Sequence, residues 1–111
     1  MKIIFSSNVS WSIYNFRKGL LSSLQADGHH IYTIASNDLY SEKLGNLGFI
    51  HSNIVINNNS KNPLKDLYLI YKYYKIYKKI DPDVICHNAI KPNIYGTIAA
   101  GLLNISVINN I

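Results

Sequence analysis

The sequence predicts an α/β domain: a Rossmann-like three-layer α/β/α sandwich around a five-stranded parallel sheet, in the order 3-2-1-4-5. Three observations carry that expectation. Short apolar runs rich in β-branched residues alternate with longer stretches of helical periodicity, in the pattern βαβαβαβαβ. Breakers such as Asp27-Gly28, Gly48 and Asp81-Pro82 stand where one pattern gives way to the other. The 111 residues, 48% apolar and 15% charged, suffice for one core and do not suit a disordered chain.

The elements follow in order. Residues 2–6 read as a first strand, and Phe16, Leu20, Leu21 and Leu24 then recur at helical spacing until Asp27-Gly28 ends the helix. His30-Ile31-Tyr32-Thr33-Ile34-Ala35 is the second strand, followed by a short helix near 39–47 and a third strand from Phe49 to Ile56. After the polar loop Asn57-Asn58-Asn59-Ser60 comes the clearest helix start, with Asn62 as cap, Pro63 at the first helical position and Asp66 at the positive end of the dipole. That helix runs to about Lys79, with Leu64, Leu67, Tyr71 and Tyr74 expected inward, and Asp81-Pro82 stops it. Val84-Ile85-Cys86 is the fourth strand, Asn93 to Leu103 a helix of small residues, and Ile105 to Ile111 the fifth strand.

Composition narrows the function. The net charge of +5 is uneven, with Lys61, Lys65, Lys72, Lys75, Lys78 and Lys79 in one stretch. That suits an anionic membrane surface or a phosphate-bearing ligand, although a solvated lysine face is the commoner explanation; no nucleic-acid motif accompanies it. The single cysteine, Cys86, lies in an apolar run and reads as a small buried hydrophobe. No signal peptide or membrane span is expected, which points to the cytoplasm or the inner face of the plasma membrane. His29, His30 and His51 lack ligand-like spacing, so no metal is expected, and without GxGxxG, P-loop or GxSxG motifs no cofactor is either.

In the order 3-2-1-4-5 the direction of strand addition reverses between the first and fourth strands, and ligands bind outside the carboxyl ends there. Two polar, aromatic segments meet at that point: Ser7 to Tyr14 after the first strand, and His87 to Pro92 after the fourth. The first offers hydroxyls and amides (Asn8, Ser10, Ser12), aromatic surfaces (Trp11, Tyr14) and the cation of Arg17, a set matched to a polyol bearing an anionic group. In the second, His87 suits a hydroxyl or a proton, Lys91 a phosphate and Asn93 a hydrogen bond. The same residues also serve as helix caps and interface side chains, and the sequence leaves both readings open.

The stretches Ser7 to Arg17, Leu24 to His29, Asn62 to Leu67, Asp81 to Ile85 and Lys91 to Gly96 together resemble the amino-terminal domain of family-four, GT-B type glycosyltransferases, above all bacterial enzymes of capsule, lipopolysaccharide and other surface-glycan assembly. The resemblance covers essentially the whole chain. It implies that residues 1–111 are the acceptor-side domain of such an enzyme, facing a carboxyl-terminal domain, absent here, that binds a nucleotide-sugar donor. It further implies metal-independent, retaining transfer to a lipid-linked glycan acceptor, and no activity from this domain alone. Cleft positions carried over are Asn8, Ser10, Trp11, Ser12, Tyr14, Arg17, His87, Lys91 and Asn93, with no catalytic base assigned. The alternative is a non-catalytic subunit that recruits a partner to the membrane.

Overall fold

The computed structural model describes residues 1–56 and 62–110; the expected loop at Asn57-Ser60 and the end of the fifth strand at Ile111 lie outside the described residues. Five strands, β1 (Lys2–Val9), β2 (His30–Ser36), β3 (Ile50–Asn53), β4 (Val84–Asn88) and β5 (Ser106–Asn110), form a single sheet in the order β3-β2-β1-β4-β5. Every neighbouring pair is parallel. Helices α1 (Ser10–Ala26), α2 (Ser41–Asn46), α3 (Pro63–Ile80) and α4 (Thr97–Leu102) connect the strands, with a π-helical turn at Pro92–Gly96 ahead of α4.

Because successive strand residues face opposite sides, β1 divides its apolar residues between two cores. Ile3 and Phe5 join Ile13, Leu21, Ile31, Leu44 and Phe49 under α1 and α2. Ile4 joins Ile34, Ile85, Leu69, Tyr73, Tyr77 and Ala99 under α3 and α4. Both faces of the sheet are covered, as a parallel sheet requires.

Boundary residues behave as their chemistry dictates. Asn62 caps α3 by accepting from the Leu64 amide at 3.0 Å, with Pro63 following it. Asp81 closes the same helix in the left-handed region, with φ of 53°. Gly28, at φ of 94°, performs that turn after α1, a conformation that costs glycine little.

Three expectations change. No loop separates β1 from α1: the strand continues to Val9 and the helix begins at Ser10. Ser10 is buried, which fixes the helix phase so that Ile13, Leu21 and Leu24 face the sheet and Phe16 and Leu20 turn outward. On α3 the buried residues are Leu69, Tyr73 and Tyr77, while Leu64, Leu67 and Tyr71 are exposed and only Tyr74 of the expected set is partly covered. Both faces of α3 carry apolar residues at helical spacing, so periodicity admits either. The outer set continues into Lys75 and Lys78 and would bury ammonium groups, whereas the inner set stays apolar through Ile76, Tyr77 and Ile80.

Candidate functional site

The direction reversal lies between β1 and β4, which pair from Ile3↔Val84 to Ser6↔His87. Beyond Ser6 the pairing of β1 with β2 slips: Ser6 faces Ile34 but Val9 faces Ser36, so β1 carries one extra residue there. Asn8 lies inside this bulge, its Oδ1 accepting from the Val9 amide at 3.0 Å and from Ser7 Oγ at 3.3 Å. On the opposite side, Ala89 sits at φ of 79°, a left-handed conformation unfavourable for a residue with a Cβ. Asn8, Ala89, Ile90 and Lys91 together line a shallow depression of about 270 Å³. Asn93 braces it by donating from Nδ2 to the Ala89 carbonyl at 2.7 Å, from inside the π-turn and not as the cap of the following helix.

His87, at the carboxyl end of β4, is fully buried. Its Nδ1 lies 3.0 Å from Asn109 Oδ1, an acceptor only, so Nδ1 carries the proton. Nε2 then accepts from the Tyr77 hydroxyl at 2.9 Å, and that hydroxyl in turn accepts from Ser6 Oγ at 3.0 Å. A chain Ser6–Tyr77–His87–Asn109, buried as far as His87 and exposed at Asn109, thus ties β1, α3, β4 and β5 together, with Thr97 Oγ1 donating to Asn109 Oδ1 at 3.0 Å. Burial lowers the imidazole pKa, opposed by the Asn109 bond, and keeps the ring neutral. The π-turn passes close above: a Cβ on Gly96 would stand 2.5 Å from His87 Nε2 and 2.9 Å from the Tyr77 hydroxyl. Only glycine allows that approach.

The amino terminus of α1 is already occupied. Asp38 Oδ2 accepts from the Trp11 amide at 2.8 Å and Oδ1 from the Tyr40 amide at 2.7 Å. A carboxylate of the chain itself therefore sits where a helix dipole and free amides would otherwise draw a phosphate. Ser10, fully buried, donates to the Ser36 carbonyl at 3.2 Å and lies 2.8 Å from Ser41 Oγ and 3.3 Å from His51 Nε2. His51 also reaches Thr33 Oγ1 at 2.8 Å and Asn37 Oδ1 at 3.0 Å; burial pushes its pKa down and Asp38 pulls it up. Asp38 is not singled out in the sequence, and His51 figures there only as a metal ligand, which its spacing discounts. The available signals were an acid just past the carboxyl end of β2, and a polar pair, Thr33 and His51, in register on adjacent strands.

The remaining candidates line α1. Trp11 is 44% exposed on its first turn and meets Phe16 edge to face at 5.3 Å. Ser12 and Arg17 are half-buried. Tyr14 faces α2, packed on Tyr40 at 5.3 Å with Lys18 Nζ 4.4 Å from its ring centre. The structure thus joins Asn8, Lys91 and Asn93 around one depression, keeps Trp11 exposed on the first turn of α1, and seals Ser10 and His87 beneath the surface. Cys86 is half-buried and its thiol is raised by burial, the state of a packing residue and not of a nucleophile. No helix among the described residues is long and apolar enough to cross a membrane.

Comparison with known proteins agrees with this fold. A family model described as glycosyl transferase 4-like matches residues 2–110. The N,N'-diacetylbacillosaminyl-diphospho-undecaprenol alpha-1,3-N-acetylgalactosaminyltransferase of Campylobacter jejuni is 31% identical over 100 residues, which cover 90% of this chain and 27% of that protein. Among solved structures, MurG of Acinetobacter baumannii superposes with a TM-score of 0.78 at 17% identity, over 97% of this chain and 33% of its own. A glycosyltransferase of Rickettsia africae gives 0.77 at 19% identity, over 99% of this chain and 29% of its own. At those identities the two structures speak for the fold alone, and the chain spans about a third or less of each of the three proteins.

Proposed function

The chain belongs to the glycosyl transferase 4-like family, and from that membership we infer that residues 1–111 are the acceptor-side domain of a GT-B enzyme. That enzyme transfers a sugar from a nucleotide-sugar donor, held by a second domain, to a glycan carried on a diphospho-polyprenol in bacterial surface-glycan assembly such as capsule or lipopolysaccharide synthesis. The observation that carries this reading is the 31% identity to a transferase whose name specifies a diphospho-undecaprenol-linked sugar. A switch point furnished with side chains in place of a glycine-rich phosphate loop supports it, as does the occupation of the α1 terminus by Asp38.

In this reading Asn8, Lys91 and the exposed face of Trp11 contact the acceptor, with Ser12, Tyr14, Arg17 and Asn93 shaping its surroundings. Ser10 and His87 act as positioning residues: one fixes α1 on the ends of β2 and β3, the other holds the π-turn against β4. The outer face of α3, with Leu64, Leu67, Tyr68 and Tyr71 exposed among lysines, meets an anionic membrane surface at the cytoplasmic side. This domain alone transfers no sugar.

The test uses the full-length enzyme. Asn8→Ala and Trp11→Ala are expected to raise the KM for a lipid-linked acceptor about fivefold to tenfold, with the donor Kd unchanged. Loss of donor binding with acceptor KM intact would overturn the assignment.

A further inference from the structure

Strand β3 is one edge of the sheet, and among the described residues no strand pairs with its outer side. Its residues, Ile50–Asn53, include neither proline nor Lys, Arg, Asp or Glu, which commonly shield such an edge. Ile50 stands in register with Tyr32 and Ser52 with Ile34, so both face the side of the sheet that α3 covers. Helix α3 does not reach fully over them. Ile50 remains 55% exposed, and two adjoining concavities of about 310 and 240 Å³ run between strand and helix, with Ile76 as their common wall. We propose that this groove and the open edge of β3 together receive an extended, acidic peptide segment of a partner protein, which joins the sheet as an added strand.

Three observations carry it. The edge supplies unpaired backbone N–H and C=O groups, and alternate side chains of an added strand point into the groove beside it. The groove offers those side chains an apolar floor, Tyr32, Ile76 and Ile80, each partly buried against the core. Its walls carry Lys2, Lys72, Lys75 and Lys79 and no carboxylate, so the charge that complements them is negative. Asp83 is spent on the Lys2 amide at 2.8 Å, and Lys72 Nζ spans to the Val55 carbonyl at 3.4 Å, which bounds the groove beyond β3. The same lysines oppose a second copy of this chain, because edge-to-edge pairing would set two cationic walls together in a protein already at +5. The site lies along the outer strand and is independent of the acceptor reading.

The test titrates the 111-residue chain with a labelled peptide of about six residues alternating valine and glutamate, followed by anisotropy and by amide NMR. Saturable binding is expected, with shifts and slowed amide exchange centred on Ile50–Asn53. Lys79→Gln should weaken it about threefold and Ile50→Ser about fivefold, the first effect fading with salt and the second not. Lys78→Gln, whose side chain lines neither concavity, should leave it unchanged, and equal urea midpoints confirm that the variants fold. A peptide with lysine in place of glutamate should not bind, nor one with a central proline, which cannot complete the ladder. Absence of binding, equal binding of either control peptide, or shifts centred on another element overturns the proposal. So does a loss of binding to phosphatidylglycerol vesicles in Lys79→Gln without any peptide binding, since the lysines would then serve a membrane surface.

Discussion

Helix α3 presents two apolar faces with opposite fates. One places Leu69, Tyr73 and Tyr77 in the core against Ile4, Ile34 and Ile85. The other leaves Leu64 72% and Leu67 62% exposed, with Tyr68 and Tyr71 stacked beside each other at 6.4 Å. Lys72 and Lys75 lie over those two rings, 4.7 Å and 5.5 Å from their centres. Equal hydrophobicity therefore does not mean equal purpose. The inner face carries the fold and positions the switch point through Tyr77, whereas the outer face adds nothing to the core among the described residues and is free to meet another surface.

The inner face offers the largest expected effect, because its two tyrosines differ by a single property. The Tyr77 hydroxyl bonds to both Ser6 and His87, while the Tyr73 hydroxyl, equally buried, has no hydrogen-bond partner among the described residues. Burial pushes both phenol pKa values up. Removing the first hydroxyl strands a buried imidazole nitrogen, and removing the second relieves a desolvation cost. Tyr77→Phe is expected to lower unfolding free energy by roughly 1–3 kcal/mol and Tyr73→Phe to leave it unchanged or raise it by about 1 kcal/mol, as read from urea denaturation. Equal losses from both would mean that ring packing, not the hydrogen-bond chain, is what the inner face supplies.

Element order, strand pairing and the helix caps at Asn62-Pro63 and Asp81 were legible because each rests on local chemistry: a period, a proline, a turn residue. The face that α3 buries was not, since two stripes of the same period compete and tertiary contact decides. The candidate site was half legible. Topology brings Asn8 and Lys91 together, and that follows from strand order. That Ser10 and His87 are sealed depends on partners distant in sequence, such as Ser41, His51, Tyr77 and Asn109, which no short motif records.

A smaller effect of the same chain appears in acid. His87 is neutral in the folded protein because burial lowers its pKa from the ordinary 6.5. Above that value neither folded nor unfolded chain holds the proton. As pH falls through it, the unfolded chain takes up a proton that the folded one refuses, and stability declines until the folded pKa is reached. His51, also lowered by burial, adds in the same direction. Unfolding midpoints measured from pH 7.5 to pH 5 should therefore fall, and part of the slope should vanish in His87→Gln. A slope unaffected by that substitution would assign the whole acid sensitivity elsewhere.

The smallest expected change in stability belongs to the outer face, and there the comparison can be broken outright. Leu64→Ser and Leu67→Ser remove exposed side chains that touch no core, so each should shift stability by no more than about 0.5 kcal/mol. If the face meets a membrane, the same changes, and Lys75→Gln with Lys78→Gln, should reduce co-flotation with vesicles rich in phosphatidylglycerol. The lysines should matter mainly at low salt and the leucines at any salt, since screening acts on charge and not on apolar burial. Should serine at these positions destabilise the protein as much as a change on the inner face, the outer face would be covered by protein rather than lipid, and the division of α3 into a structural and a binding side would not hold.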